Sequence, residues 1–241
     1  MSTFVLVPGA WHGEWSFRPV AEHLRAAGHA ALGITLPGLS DGDDPAGHSM
    51  SEAVTAIVDL VESRDLRDIT LVAHSWGSYP MTGAAHRLGA SRVAALVYVN
   101  AVVPRPGMSL YDEFPVEYQE LLTALSSQSD DGGARLPFEV WQGLLDDAPE
   151  LVQRAYFPLL VPQPFQYLVE PVDAPAVVDL PMPAAFVFSN GDSGPSFENG
   201  GLDDQVARTG GRLVEISGSH EGLLTRPDEV AQAIIEAGGP A

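Results

Sequence analysis

Six short apolar runs punctuate the chain, at residues 4–7, 30–35, 69–74, 93–99, 185–189 and 212–216. Most are continuously apolar rather than alternating. A strand with one face in water alternates; a strand covered on both faces does not. Between the runs the apolar period lengthens to that of a helix. Val54, Ile57, Val58 and Val61 recur at i, i+3, i+4 and i+7 behind Ser49-Met50-Ser51-Glu52, which has the form of a capping box. An earlier helix takes Pro19 in its opening turn, aligns Val20, Leu24 and Ala27, and stops at Gly28. The last opens on Thr225-Arg226-Pro227-Asp228 and turns Val230 and Ile234 inward. Strand and helix in alternation predict an α/β fold, a doubly wound, mostly parallel six-stranded sheet with right-handed crossovers.

The rhythm breaks once. Residues 104–183 hold no convincing parallel-strand run, but many prolines and short helical stretches rich in aromatics. The expected organisation is a core of residues 1–103 and 184–241, with 104–183 inserted as a helical cap over the strand ends, where open α/β sheets bind ligands. Most of the cap aromatics are expected to pack among themselves. Tyr111 and Trp141 are the ones taken to reach a ligand.

The chemistry is gathered at the ends of strands. Ser75 follows the run 69–74 and precedes a helical segment, with small residues at Ala73 and Gly77 on either side. A serine on so tight a strand-to-helix turn has its hydroxyl pushed out at the carboxyl edge of the sheet. A hydroxyl needs a base to take its proton, and the base needs an orienting acid. The run 185–189 leads to Asn190-Gly191-Asp192, and the run 212–216 to Ser217-Gly218-Ser219-His220, which supplies both in the order Ser75, Asp192, His220. A tetrahedral oxyanion also needs aimed backbone N–H groups. Trp76, just after the nucleophile, and Ala10, in the loop after the first strand, are the candidates. That loop adds Gly9, Trp11 and His12 as candidate substrate contacts, although packing behind the site is the commoner fate of such a histidine. His74 is expected to be structural, because adjacent side chains at a tight turn point apart.

Composition narrows the chemistry. There is no cysteine, and the 12 basic residues are all arginine. Disulfides, thiolate metal sites, a cysteine nucleophile and lysine Schiff bases are therefore excluded. The formal net charge of -20 repels phosphate backbones and anionic lipid, so neither nucleic acid nor a membrane is expected as a partner. Asp41-Gly42-Asp43-Asp44 lacks the later ligands and the spaced glutamate of a calcium loop, so it is read as a solvated loop. No basic leader or bilayer-length apolar run is present, which predicts a soluble cytoplasmic protein. The arginine-only basic set, with abundant Ala and Gly, suits a GC-rich bacterial genome. A homodimer is compatible with the chain.

At these residues the sequence resembles the α/β-hydrolase superfamily, in particular the branch of salicylate-binding methylesterases, hydroxynitrile lyases and bacterial esterase-like proteins. The resemblance runs through Phe4-Val5-Leu6-Val7-Pro8-Gly9-Ala10-Trp11-His12-Gly13, residues 24–29, the Ser75 turn, Asn190-Gly191-Asp192 and Gly218-Ser219-His220. It implies a cofactor-independent serine hydrolase with the triad Ser75, Asp192 and His220 and a helical cap over an apolar pocket. Relatives usually have His at the place of Pro8, and Gly at the places of Ala73 and Ser78. The lyases have Thr at the place of Gly9 and Lys at the place of Glu221. With no lysine in the chain, cyanohydrin chemistry of that kind is disfavoured. Glu221 is expected to point to solvent.

The expected function is hydrolysis of a small, largely apolar ester or lactone through an acyl-serine. The alternative is an elimination or cyclisation step in specialised metabolism that uses the same serine, histidine and aspartate. A non-catalytic binding protein is disfavoured by the intact triad.

Overall fold

The structure, a computed structural model, describes residues 1–192, 194, 197 and 201–238. The first half alternates β1 (Thr3–Val7), α1 (Arg18–Ala26), β2 (Ala30–Gly33), α2 (Met50–Ser63), β3 (Ile69–His74), α3 (Ser78–Leu88) and β4 (Val93–Val99). Then come α4 (Leu110–Glu113), α5 (Val116–Ser127), β5 (Gly133–Ala134), α6 (Phe138–Leu144), α7 (Glu150–Tyr156), β6 (Gln163–Pro164) and α8 (Phe165–Val169). The chain ends with β7 (Ala184–Ser189), α9 (Gly201–Arg208), β8 (Leu213–Ile216), α10 (Gly222–Thr225) and α11 (Pro227–Gly238).

The sheet has six strands in the order β2-β1-β3-β4-β7-β8, and every pairing within it is parallel. β2 stops earlier than its apolar run suggested, because Gly33, opposite Leu6, is its last paired residue. The inner strands of the sheet are buried on both faces, and they divide their side chains between two cores at period two. Val5, Val7, Leu71, Ala73, Leu96 and Tyr98 face the core shared with α2 and α3. Phe4, Leu6, Val72, Val97 and Val99 face the core shared with α1 and α11. Leu71 and Val72 are each 0% exposed, on opposite faces. Full burial of such a side chain is worth roughly 2 kcal/mol, so the strand that leads to Ser75 is anchored from both layers.

The helix ends follow the local rules. The Ser49 side chain accepts the Glu52 backbone N–H at the start of α2, and Pro19 lies in the first turn of α1. Val230 and Ile234 of α11 are fully buried.

Between β4 and β7 the chain leaves the main sheet. It forms short helices and one small antiparallel pair, β5 with β6, which joins Gly133 to Pro164 and Ala134 to Gln163. Strand order reverses between β1 and β3: β2 lies outside β1, and β4 outside β3. The loops after β1 and β3 diverge there and open a crevice at the carboxyl edge. Ala10 and Ser75 flank that crevice.

Candidate active site

β3 leads directly into Ser75, whose φ is +51°. A non-glycine residue in the left-handed region is sterically costly and is held there only by its surroundings. The turn is closed from below by Gly77: a Cβ at that position would lie 2.2 Å from the Pro8 carbonyl oxygen. Gly77 is therefore required for α3 to start against the β1 loop. Gly9 has a matching role on the other side. A Cβ there would come within 2.9 Å of His74 Nδ1 and 3.1 Å of Ser75 Cβ.

Asp192 follows β7, and its side chain is 1% exposed. Its Oδ2 accepts from His220 Nδ1 at 2.7 Å, and its Oδ1 accepts the Gly194 backbone N–H at 2.9 Å. The loops carrying the two residues are stitched together, because Gly191 N–H donates to the Gly218 carbonyl at 2.9 Å. With Nδ1 committed to Asp192, Nε2 is the ring nitrogen of His220 left for chemistry. Burial pushes the His220 imidazole toward its neutral form. The Asp192 charge and hydrogen bond, and after them the Glu221 charge, outweigh burial and raise it to about 9.

The His220 backbone is fixed as firmly as its ring. His74 Nε2 and Asn100 Nδ2 both donate to the His220 carbonyl, each at 3.0 Å. Asn100 also donates to Ser189 Oγ and accepts the Ser189 backbone N–H, at 2.9 and 2.7 Å. One amide at the end of β4 thus ties β7 to the histidine loop after β8. Burial, then the neighbouring His220 and His12, hold His74 well below the usual histidine range, so it serves as a neutral donor.

Ser75, Trp76, Ala10, Trp11, Asn100 and His220 line one cavity of about 130 Å³. Its remaining wall is almost wholly apolar, with Val102, Leu110, Phe114, Leu122, Leu125, Leu136, Val140 and Leu168. An apolar cavity of roughly 150 Å³ accommodates benzene, so the space suits a single ring or a short branched chain. A second recess, lined by Glu117, Glu139 and Asp192, meets the cavity at Tyr118, Val140, Leu144 and His220.

The structure places several of the expected contacts away from the cavity lining, and turns Glu221 inward. Trp141 is fully buried, donates through its indole N–H to the Gln153 carbonyl at 2.9 Å, and packs against His12; it is not among the described residues lining the cavity. Tyr111 packs edge-on against Phe165 and bonds Thr123, again away from the lining. Gly9 is packed beneath Ser75 rather than facing the cavity. His12 is 2% exposed and bonds the Ala10 carbonyl, a position behind the cavity wall. Glu221 does not point to solvent. It is 1% exposed, its carboxylate turns inward toward His12, and its backbone N–H donates to the Leu144 carbonyl at the end of α6.

Sequence reasoning missed Gln163, which is fully buried and accepts the Trp11 backbone N–H at 2.8 Å, while the Trp11 indole donates to the Ala134 carbonyl. The β5–β6 pair thereby fixes the loop that carries Ala10. The available signal was weak: a glutamine flanked by Pro162 and Pro164. It also missed the bridging role of Asn100, although its place at a strand's carboxyl end was visible.

The carbendazim hydrolyzing esterase of Nocardioides sp. (strain SG-4G) is 38% identical over 117 residues, 48% of each chain. Methyl jasmonate esterase 1 of Vitis vinifera is 32% identical over 121 residues, 49% of this chain and 44% of that protein. The chain thus spans about half the length of the curated relatives it matches. Among solved structures, an extracellular alpha/beta-hydrolase from a Paenibacillus species superposes with a TM-score of 0.92 at 24% identity, over 100% of both chains. Among the described residues, no helix is long and apolar enough to cross a membrane. The profile of the Alpha/beta hydrolase family matches residues 4–233, and the chain belongs to that family.

Proposed function

We propose that this chain hydrolyses a small, uncharged, largely apolar carboxylic ester or lactone, with Ser75 as nucleophile, His220 as base and Asp192 as its orienting acid. The observation that carries the reading is the convergence of a serine at φ +51° and an aspartate-bonded histidine on one apolar cavity. The esterase names borne by the relatives agree with it.

His220 Nε2 takes the Ser75 hydroxyl proton as Oγ attacks the ester carbonyl. The negative charge that develops on the carbonyl oxygen is met by the backbone N–H groups of Ala10 and Trp76, both beside Ser75 in the cavity wall. The resulting imidazolium is stabilised by Asp192 and donates its proton to the departing alcohol oxygen, leaving an acyl-Ser75. Water then enters, loses a proton to the same nitrogen and attacks the acyl carbon; collapse returns the proton to Oγ and releases the acid. The acyl part occupies the apolar cavity. The leaving group departs on the His220 side, where the second recess opens. Residues 104–183 act as the cap, since Leu110, Phe114, Leu122, Leu136 and Leu168 build most of the apolar wall.

Ser75→Ala tests the reading. It should lower turnover of an aryl butyrate by several orders of magnitude and abolish labelling by a fluorophosphonate. Near-full activity in that variant would remove Ser75 from the mechanism. Transfer of heavy oxygen from labelled water into the acid product separates hydrolysis from elimination or cyclisation.

A further inference from the structure

Trp11 holds a backbone conformation that a bulky residue seldom adopts. Its φ is +64°, and it stands third in a turn closed from His12 N–H to the Gly9 carbonyl at 3.4 Å. A positive φ at that position marks the type II form, where glycine or asparagine is usual. The type I form would spare Trp11 the strain, and it differs by turning over the peptide between Ala10 and Trp11. Both forms allow the closing bond, so the choice is made elsewhere. Two bonds on opposite edges of that peptide make it. The Ala10 carbonyl accepts from His12 Nδ1 at 2.6 Å, and the Trp11 N–H donates to Gln163 Oε1 at 2.8 Å. The cap anchors Trp11 twice more: Val161 N–H donates to its carbonyl at 3.0 Å, and its indole N–H donates to the Ala134 carbonyl at 2.8 Å.

Gln163 is delivered rigidly. It lies between Pro162 and Pro164, the second of which keeps it extended, and it pairs with Ala134 in β5–β6. It is fully buried, and its Nε2 meets no acceptor among the described residues. A methionine would fill the same space without stranding an N–H group out of water. What the glutamine adds is the acceptor for Trp11.

The consequence falls on Ala10. It is 5% exposed, it lines the cavity with Ser75, and its N–H donates to no acceptor among the described residues. A buried backbone donor left open is rare, and this one borders the cavity in which the ester carbonyl is attacked. With Trp11 anchored on its far side by Val161 and Ala134, any turning of the Ala10–Trp11 peptide has to be taken up at Ala10.

We propose that Gln163 is a positioning residue for the oxyanion hole: it holds the type II turn by which the cap keeps Ala10 N–H aimed at the developing negative charge. The inference rests on the hydrolase reading.

The test compares the full chain as wild type, Gln163→Met and Gln163→Glu on an aryl butyrate, with active serine counted by fluorophosphonate labelling and the rate of that labelling measured. Gln163→Met should lower kcat per labelled serine by about 10- to 100-fold, as expected for a donor displaced by about 1 Å, with KM within about twofold. Labelling should slow by a similar factor, because the phosphonyl oxygen enters the same hole. A merely structural role would lower the denaturation midpoint and the count of active serine, and leave kcat per labelled serine alone. Gln163→Glu keeps an acceptor oxygen in place and should restore most of kcat. Unchanged kcat per labelled serine in Gln163→Met, or an equal fall in Gln163→Glu, would overturn the inference. Should Gln163→Met fail to fold, Gln163→Asn, with the same amide one methylene shorter, is read in its place. Failure of the hydrolase reading looks different: the wild type itself would then neither turn over the ester nor take the label.

Discussion

Asp192 grips His220 with one oxygen and is itself gripped through the other. Oδ2 accepts from His220 Nδ1 at 2.7 Å, and Oδ1 accepts the Gly194 N–H at 2.9 Å. The carboxylate therefore fixes the tautomer as well as the charge of the imidazole. Asp192→Asn presents an amide that can turn its NH₂ toward Nδ1, which would move the ring proton to Nε2 and leave no base for Ser75. We expect kcat to fall by about 10³- to 10⁴-fold with little change in KM. Steady-state kinetics on a neutral aryl ester check this; a loss below tenfold would mean that Asp192 is not the orienting acid.

Activity and stability should run in opposite directions above neutral pH. His220 is raised from 6.5 to about 9 in the fold, so the native state holds a proton that the unfolded chain has released. Its contribution is complete below pH 6.5 and is lost as pH rises through 9; a shift of this size corresponds to roughly 3 kcal/mol. His74 has the opposite sign. It is held well below 6.5, so the unfolded chain takes up a proton that the native state refuses, and stability drops as pH falls below 6.5. Denaturant midpoints should peak near pH 6 to 7, while kcat/KM should climb toward about 9 as the base is freed. A stability maximum at pH 9 would contradict the raised His220 assignment.

The continuity of the apolar runs made the sheet legible, because burial on both faces leaves no polar alternation to disguise it. Ser75, Asp192 and His220 could be singled out as candidates for a related reason: Ser75 directly follows β3, Asp192 and His220 lie three and four residues past β7 and β8, and strand ends are fixed by backbone pairing. The places of Glu221, Trp141 and Tyr111 were not legible. Their side-chain directions depend on how irregular segments fold back over one another, and no periodicity encodes that. Glu221 illustrates the limit. A charged residue in a loop reads as solvated, yet the Glu221 backbone N–H bonds the Leu144 carbonyl and its carboxylate lies inward toward His12.

Asn100 is the structural hinge of the histidine loop. Asn100→Ala would leave the buried Ser189 N–H unpaired and remove one of the donors to the His220 carbonyl. Each such loss costs about 1–3 kcal/mol, so we expect a destabilisation of about 2–4 kcal/mol. Asn100→Asp should not rescue it, because a carboxylate cannot donate to Ser189 Oγ or the His220 carbonyl. Chemical denaturation measures the effect; a change below 0.5 kcal/mol, on the order of an ordinary surface substitution, would show that His74 alone holds the loop.

The cavity wall supplies the sharpest prediction on substrate. Among the described residues that line it there is no Asp, Glu or Arg, and the histidine present already spends one nitrogen on Asp192. An acyl chain ending in a carboxylate would enter this space without a counter-charge and lose its hydration, which an apolar site cannot repay. The chain's net charge of -20 opposes its approach as well. We therefore expect an aryl hemisuccinate to be hydrolysed with kcat/KM at least about 100-fold below the matching butyrate, a difference near 3 kcal/mol in transition-state free energy. Most of that gap should survive added salt, because desolvation inside the cavity is not screened, whereas the long-range part should shrink. Comparable rates on the two esters, at low and high salt alike, would mean that the acyl group is bound outside the apolar cavity.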